Sequence, residues 1–212
     1  MEKLSTINKL ASSLGRRDEL PNQALAKKIA DNNDKSAVKE LVDNLHNTKK
    51  DIQSDCIKVL YEIAAAKPAL VAGYVKQLIA LLDSKNNRLQ WGAMTALHAI
   101  TNEVPKEIHD TLGKIIAVAD KGSVITNDHC VGILVKLCTT KKYSDDAFPL
   151  LLERLMISPE NQLPMYAENA VPVINDKYKA AFIKTLTARL GDMEKATKRA
   201  RVEKVIKKLQ SK

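Results

Sequence analysis

Few side chains in this sequence could do chemistry. It holds one tryptophan, Trp91, four histidines, His46, His98, His109 and His129, three cysteines, Cys56, Cys130 and Cys138, and a cluster of bases between Lys195 and Lys212. An exposed tryptophan is a rigid anchor for a partner, because aromatic rings carry much of the energy of binding interfaces. A tryptophan folded over a neighbouring helix instead completes a core, since it buries heavily wherever it can, and both uses are open for Trp91. The histidines share no face or ligand spacing with the cysteines, so the sequence predicts no metal and no cofactor. No nucleophile, base and orienting group form a constellation, and the expectation is a protein without enzymatic activity. The bases are the strongest electrostatic signal: from Lys195 to Lys212 eight bases face the single acid Glu203, which accounts for +7 of the chain's formal +9.

A repeat positions these residues. Leu89, Ala93, Leu97 and Ile100 have counterparts 37 residues earlier in Ile52, Cys56, Leu60 and Ile63, and 37 later in Thr126, Cys130, Leu134 and Leu137. A further 37 gives Leu163, Ala167, Val171 and Ile174. Self-similarity at a period of about 20 to 50 residues marks stacked repeats that bury their faces only against neighbours. Composition agrees, with 45% hydrophobic, 28% charged and only 4% aromatic residues, a balance that suits helices rather than sheets. Cys56 and Cys130 hold the same position two repeats apart, and Cys130 and Cys138 lie about 12 Å apart along one helix at 1.5 Å per residue. A disulfide reaches about 7 Å between Cα atoms, so all three thiols are expected reduced and buried, in a cytoplasmic compartment. The most apolar run, 69–82, is broken by Lys76 and falls short of the roughly 18 to 20 residues of a membrane span. Polar residues at the start interrupt any signal-peptide core.

Taken in order, Leu4, Ile7, Leu10, Ala11 and Leu14 predict an amphipathic helix over 2–14, stopped at Gly15. Pro21 can open a short second helix carrying Leu25, Ala26, Ile29 and Ala30. This pair, 1–34, does not obey the offset and reads as an atypical N-terminal hairpin. Four regular repeats follow over 35–175: a first helix with Val38, Leu41, Val42 and Leu45, a second to about Lys67, and then pairs over 69–82 with 87–103 and 106–120 with 124–138. In the fourth pair Ser144 and Asp145 are expected to cap a helix with Pro149 near its first turn, and Pro172 to kink or break the next. A basic capping hairpin, 176–212, ends in a helix over 193–209 whose stripe is Val202, Val205, Ile206 and Leu209. The whole is expected to be one domain, 1–212.

Hairpins of this length, with Leu81-Leu82-Asp83, a short polar turn, and then Ala93, Ala96 and Leu97, resemble the HEAT repeat and its armadillo relatives. The resemblance implies an all-α, right-handed α-α superhelix, a HEAT-like solenoid of about six helical hairpins. It also implies a binding scaffold whose second helices line a concave groove. At 100° per residue the positions facing away from the apolar stripe are Ser54, Lys58 and Tyr61, then Trp91, Thr95 and His98, then Asp128, Gly132 and Val135, then Met165, Asn169 and Pro172. Tyr61, Trp91, Thr95, His98 and Asp128 are thus the candidate groove residues, for a protein or peptide partner. Lys198, Arg201, Lys204 and Lys208 are the candidates on the basic helix, for an acidic partner or nucleic acid. HEAT-like proteins include a branch that removes alkylated purines from DNA, so the alternative is a nucleic-acid-binding protein, with a glycosylase-like variant in which Trp91 stacks on a base and Asp128 assists cleavage. Such a site needs several aromatics and a basic groove for the phosphates, whereas this face offers one Trp, one Tyr and few bases.

Overall fold

The computed structural model describes residues 5–211. Among them the chain is all-α, thirteen α-helices with short 3₁₀ turns and no strand. It divides into two compact units, Met1–His129 and Cys130–Lys212.

The first unit contains α1 (Leu20–Asp31), α2 (Lys35–Asp43), α3 (Lys50–Ala66), α4 (Ala69–Ala72), α5 (Val75–Ala80), α6 (Asn87–Ile100), α7 (Pro105–Asp110), α8 (Leu112–Lys121) and the beginning of α9 (Val124–Cys138). α3 packs against both α1 and α6, and its stripe of Ile52, Cys56, Val59, Leu60 and Ile63 is buried between them. The α3–α6 crossing is tight because position 92 lacks a side chain: a Cβ on Gly92 would stand 2.6 Å from Cγ1 of Ile57. The two long first helices expected over 69–82 and 106–120 are each broken, at Gly73-Tyr74 and at Thr111. Those breaks sit 37 residues apart, so they belong to the repeat. Glycine weakens the first, and the Thr111 hydroxyl donates back to the Glu107 carbonyl at 2.8 Å at the second, a bond that competes with the helix ladder.

The amphipathic helix expected over 2–14 is not what residues 5–14 form; two 3₁₀ turns, Ile7–Lys9 and Ser12–Leu14, take its place. Residues 1–4, including Leu4 of its stripe, lie outside the described residues. The reason is hydrogen bonding. The N–H of Thr6 donates to Glu40 at 2.9 Å, that of Ala11 to Asn22 at 3.0 Å and that of Ser12 to Asp55 at 2.8 Å. Side chains of α1, α2 and α3 thus claim donors that a helix would need. Leu10 and Ala11 are buried while Leu14 stays exposed, and Gly15 ends the segment with φ 68°, in the left-handed region open to glycine.

The second unit holds the rest of α9 with α10 (Lys141–Ile157), α11 (Leu163–Ala170), α12 (Asp176–Leu190) and α13 (Ala196–Gln210). α10 starts at Lys141 rather than at Ser144, so Pro149 lies inside the helix and not in its first turn. α11 stops at Ala170 and Pro172 sits in a 3₁₀ turn, the early break that an interior proline produces. α13 begins three residues later than expected, and Val202, Val205, Ile206 and Leu209 are buried against α11 and α12. The three cysteines form no disulfide and are buried; burial pushes the thiols of Cys56 and Cys138 up to about 12.

Candidate functional site

Of the candidate positions in the first unit, Tyr61 of α3 meets Trp91 of α6, while Thr95 and His98 lie farther along α6 and Asp128 near the start of α9. Tyr61, Trp91, Thr95, His98 and Asp128 are all half-buried. The Tyr61 and Trp91 rings lie 5.8 Å apart at 46°, so Trp91 neither vanishes into the core nor stands free. Arg88, one turn before it on α6, places its guanidinium 4.5 Å from the Trp91 ring centroid, a cation–π contact that fixes the ring's orientation. The Thr95 hydroxyl donates to the Trp91 carbonyl at 2.9 Å, so its polar atom is spent within α6.

Lys58 departs from the face calculation, which points it outward. Its side chain is only 6% exposed, and its Nζ meets Glu19 Oε2 and Glu62 Oε1, each at 2.8 Å. A buried ammonium persists only when paired, and the pairing draws in Glu19 from the segment just before α1. The other Glu19 oxygen accepts from Arg88 Nη2 at 2.9 Å. One carboxylate therefore ties the buried cation of α3 to the cation that covers Trp91. Hydrogen bonds from Lys58 and then Arg88 hold the Glu19 carboxyl below the usual carboxylate range. Burial works against the Lys58 charge, yet the bonds from Glu19 and Glu62 outweigh it and raise its pKa. Burial raises the Tyr61 phenol as well. Beside this network lies a cleft of about 700 Å³, lined in part by Arg17, Glu19, Asp51, Ser54 and Arg88.

His98 meets His129, with Nδ1 atoms 3.1 Å apart. Glu19, Glu62, Arg88 and His129 are the members of this face that the sequence reading missed. Arg88 had a local signal, since a residue three before Trp91 shares its helical face. Glu19 had none, because it lies outside the repeat.

In the second unit, Arg201 and Glu168 form a two-armed pair at 2.8 and 2.5 Å, so the most central candidate on α13 has its charge matched. Hydrogen bonding to Arg201 lowers the Glu168 carboxyl and raises the Arg201 guanidinium. Lys204 and Lys208 remain exposed and, with Arg201, Glu168, Val171 and Val205, line a depression of about 240 Å³. Lys198, on the same side of the helix, is half-buried. Arg189 of α12 was also missed. Its buried guanidinium donates to the carbonyls of Leu155, Met156 and Ser158 at 2.6, 2.7 and 2.9 Å, satisfying acceptors that the end of α10 leaves open.

A family model described as sister chromatid cohesion protein PDS5 matches residues 24–169. No curated protein matches the sequence significantly. Among solved structures, a designed armadillo repeat protein in complex with the peptide (KR)4 is similar at TM-score 0.67 and 16% identity, covering 98% of this chain and 99% of that one. A computationally designed armadillo repeat protein for modular peptide recognition is similar at TM-score 0.65 and 16% identity, over 95% of this chain and 97% of that one. An engineered protein from a structural genomics consortium reaches TM-score 0.63 and 19% identity with full coverage of both chains. Family and neighbours agree with the all-α, HEAT/armadillo-type fold.

Proposed function

The chain belongs to the family of the sister chromatid cohesion protein PDS5, and from that premise we propose that it is a non-enzymatic scaffold that holds an extended segment of a partner protein on the aromatic face of α3 and α6. The observation that carries this reading is Trp91, half-buried between Arg88 and Tyr61, with Arg88 also lining the 700 Å³ cleft. A ring already oriented by its own neighbours loses little freedom on binding, which is the property of an interface anchor. A protein of the same fold holds the peptide (KR)4, which supports a peptide as occupant. The mixed charge of Glu19, Lys58, Glu62 and Arg88 is a poor bed for a run of phosphates.

Trp91 is the only tryptophan, so its emission reports on this face alone. Labelled peptides of basic, acidic and apolar composition would be titrated by anisotropy, with Trp91 emission followed in parallel. A genuine occupant shifts that emission, and Trp91→Ala weakens its binding by about 2 kcal/mol or more with little change in salt dependence. A partner bound equally well by Trp91→Ala and Tyr61→Ala chains would sink the reading.

The exposure of Lys204 and Lys208 beside the apolar atoms of Val171 and Val205 favours a second surface on α13, for an acidic segment of a partner protein. Charge reversal at Lys198, Lys204 and Lys208 leaves the buried stripe intact and should abolish that binding. If nucleic acid is the ligand instead, each lost phosphate contact would flatten the slope of log K against log salt by roughly 0.7 to 0.9.

A further inference from the structure

His98 on α6 and His129 in the first turns of α9 come from different repeats, 31 residues apart, yet their rings stand 5.3 Å apart at 49° with the two Nδ1 atoms turned toward each other at 3.1 Å. In a neutral pair one Nδ1 donates and the other accepts, so one lone pair and one N–H share the space between the rings, and a second lone pair becomes available there once that proton moves. Zinc binds imidazole nitrogen at about 2.0 to 2.1 Å, and tetrahedral angles then set two such nitrogens roughly 3.3 Å apart. The observed spacing needs to open by only a few tenths of an ångström to chelate an ion. Both rings are half-buried.

We propose that His98 and His129 form a two-histidine chelate for a borderline transition-metal dication, of the class Zn²⁺, Ni²⁺ or Cu²⁺, with water completing the shell. The proton accounting is simple. Chelation needs both Nδ1 lone pairs, so the proton shared between them leaves Nδ1, either for Nε2 of the same ring or for solvent. Among the described residues no group of three or more His, Cys, Asp or Glu is placed to hold a metal, so the protein supplies two ligands. Affinity should follow the order expected for imidazole sites, with Cu²⁺ above Ni²⁺ and Zn²⁺, and hard Mg²⁺ rejected. The ion would pin the start of α9 to α6, on the helix that carries Trp91.

Trp91 also makes the test direct. It lies seven residues before His98 on α6, about 10 Å along the axis, within reach of quenching by bound Cu²⁺. The whole chain, reduced and then freed of reductant, would be titrated with Cu²⁺, Ni²⁺, Zn²⁺ and Mg²⁺ by calorimetry and by Trp91 emission. One equivalent of Cu²⁺ or Zn²⁺ should bind and Mg²⁺ none. His98→Gln and His129→Gln should each weaken binding more than about tenfold, since even outer-shell partners cost that much, and His46→Gln with His109→Gln should leave it unchanged. Should either variant fail to fold, zinc-edge X-ray absorption of the unaltered protein decides: a nitrogen and oxygen shell with imidazole scattering supports the site. A sulfur shell, no binding, or binding untouched by both substitutions would overturn it. None of these readouts depends on whether the aromatic face binds a peptide.

Discussion

The aromatic face of α3 and α6 and the basic face of α13 carry charge in opposite ways. Around Trp91 the cations are consumed internally: Lys58 is held by Glu19 and Glu62, and Arg88 by Glu19 and the indole face. On α13, Arg201 and Arg199 have carboxylate partners, Glu168 and Glu203, while Lys204, Lys207 and Lys208 are exposed. The first arrangement stiffens a surface and leaves little field, so its binding should rest on shape and apolar contact. The second projects a field that steers acidic partners and is screened by salt. Residue type alone does not tell these uses apart. A lysine serves as an internal strut at 58 and as an exposed charge at 204, and burial with partners makes the difference.

The comparison breaks most sharply at Lys58. Replacing Glu19 and Glu62 together by glutamine strands a buried ammonium and should destabilise the first unit by about 3 kcal/mol or more in urea unfolding. Adding Lys58→Met to that background should recover most of the loss, since an apolar side chain of similar length needs no partner. Glu19 also sets the pH response. Its carboxyl is held below the usual range by Lys58 and Arg88, so its contribution is present above the unfolded value of about 4.3 and is lost as pH falls through the lower folded value. The gap between the parent chain and the Glu19→Gln chain should therefore close as pH drops below that range. A gap that persists unchanged in strong acid would show that the network is not what stabilises this face.

Arg189 extends the comparison to the second unit, because it is a buried cation held mainly by carbonyls, with the Asp192 carboxylate farther off at 3.9 Å. Arg189→Met should cost about 1 to 3 kcal/mol by leaving those acceptors without a donor, and the loss should be insensitive to salt. Glu168→Gln is the smallest expected effect, less than about 1 kcal/mol, because the Arg201 pair is solvent-exposed. Its value lies in a second measurement. Removing Glu168 frees Arg201, so an acidic peptide should bind α13 more tightly at low salt and show no gain at high salt.

Much of the fold was legible because apolar periodicity is a local property. The offset of 37 located the stripes of α3, α6 and α9 and the buried cysteines, whereas the breaks in the first helices at Tyr74 and Thr111, themselves 37 apart, were not read from it. Pro172 ended α11 for a reason carried by the proline itself. The failures were of another kind. Residues 5–14 have a helical stripe, yet Glu40, Asn22 and Asp55 take up their N–H groups, and nothing in the decapeptide announces competitors from elsewhere in the chain. Pro149 looked like a helix start and became an interior residue because α10 begins a turn earlier.

By itself, then, the amino-acid order determined which faces must be buried, since the removal of apolar side chains from water depends on their spacing along one helix. It also determined that positive charge gathers on α13. Tertiary structure alone decided which polar groups meet. Glu19 reaches Arg88 across 69 residues, Arg189 reaches Ser158 across 31, and His98 reaches His129 across 31, distances that follow no repeat. A charged or imidazole side chain is satisfied by water as well as by a partner, so its sequence position does not specify which; only the packing of α1 on α3, α3 on α6 and α10 on α12 removes the water and leaves the partner.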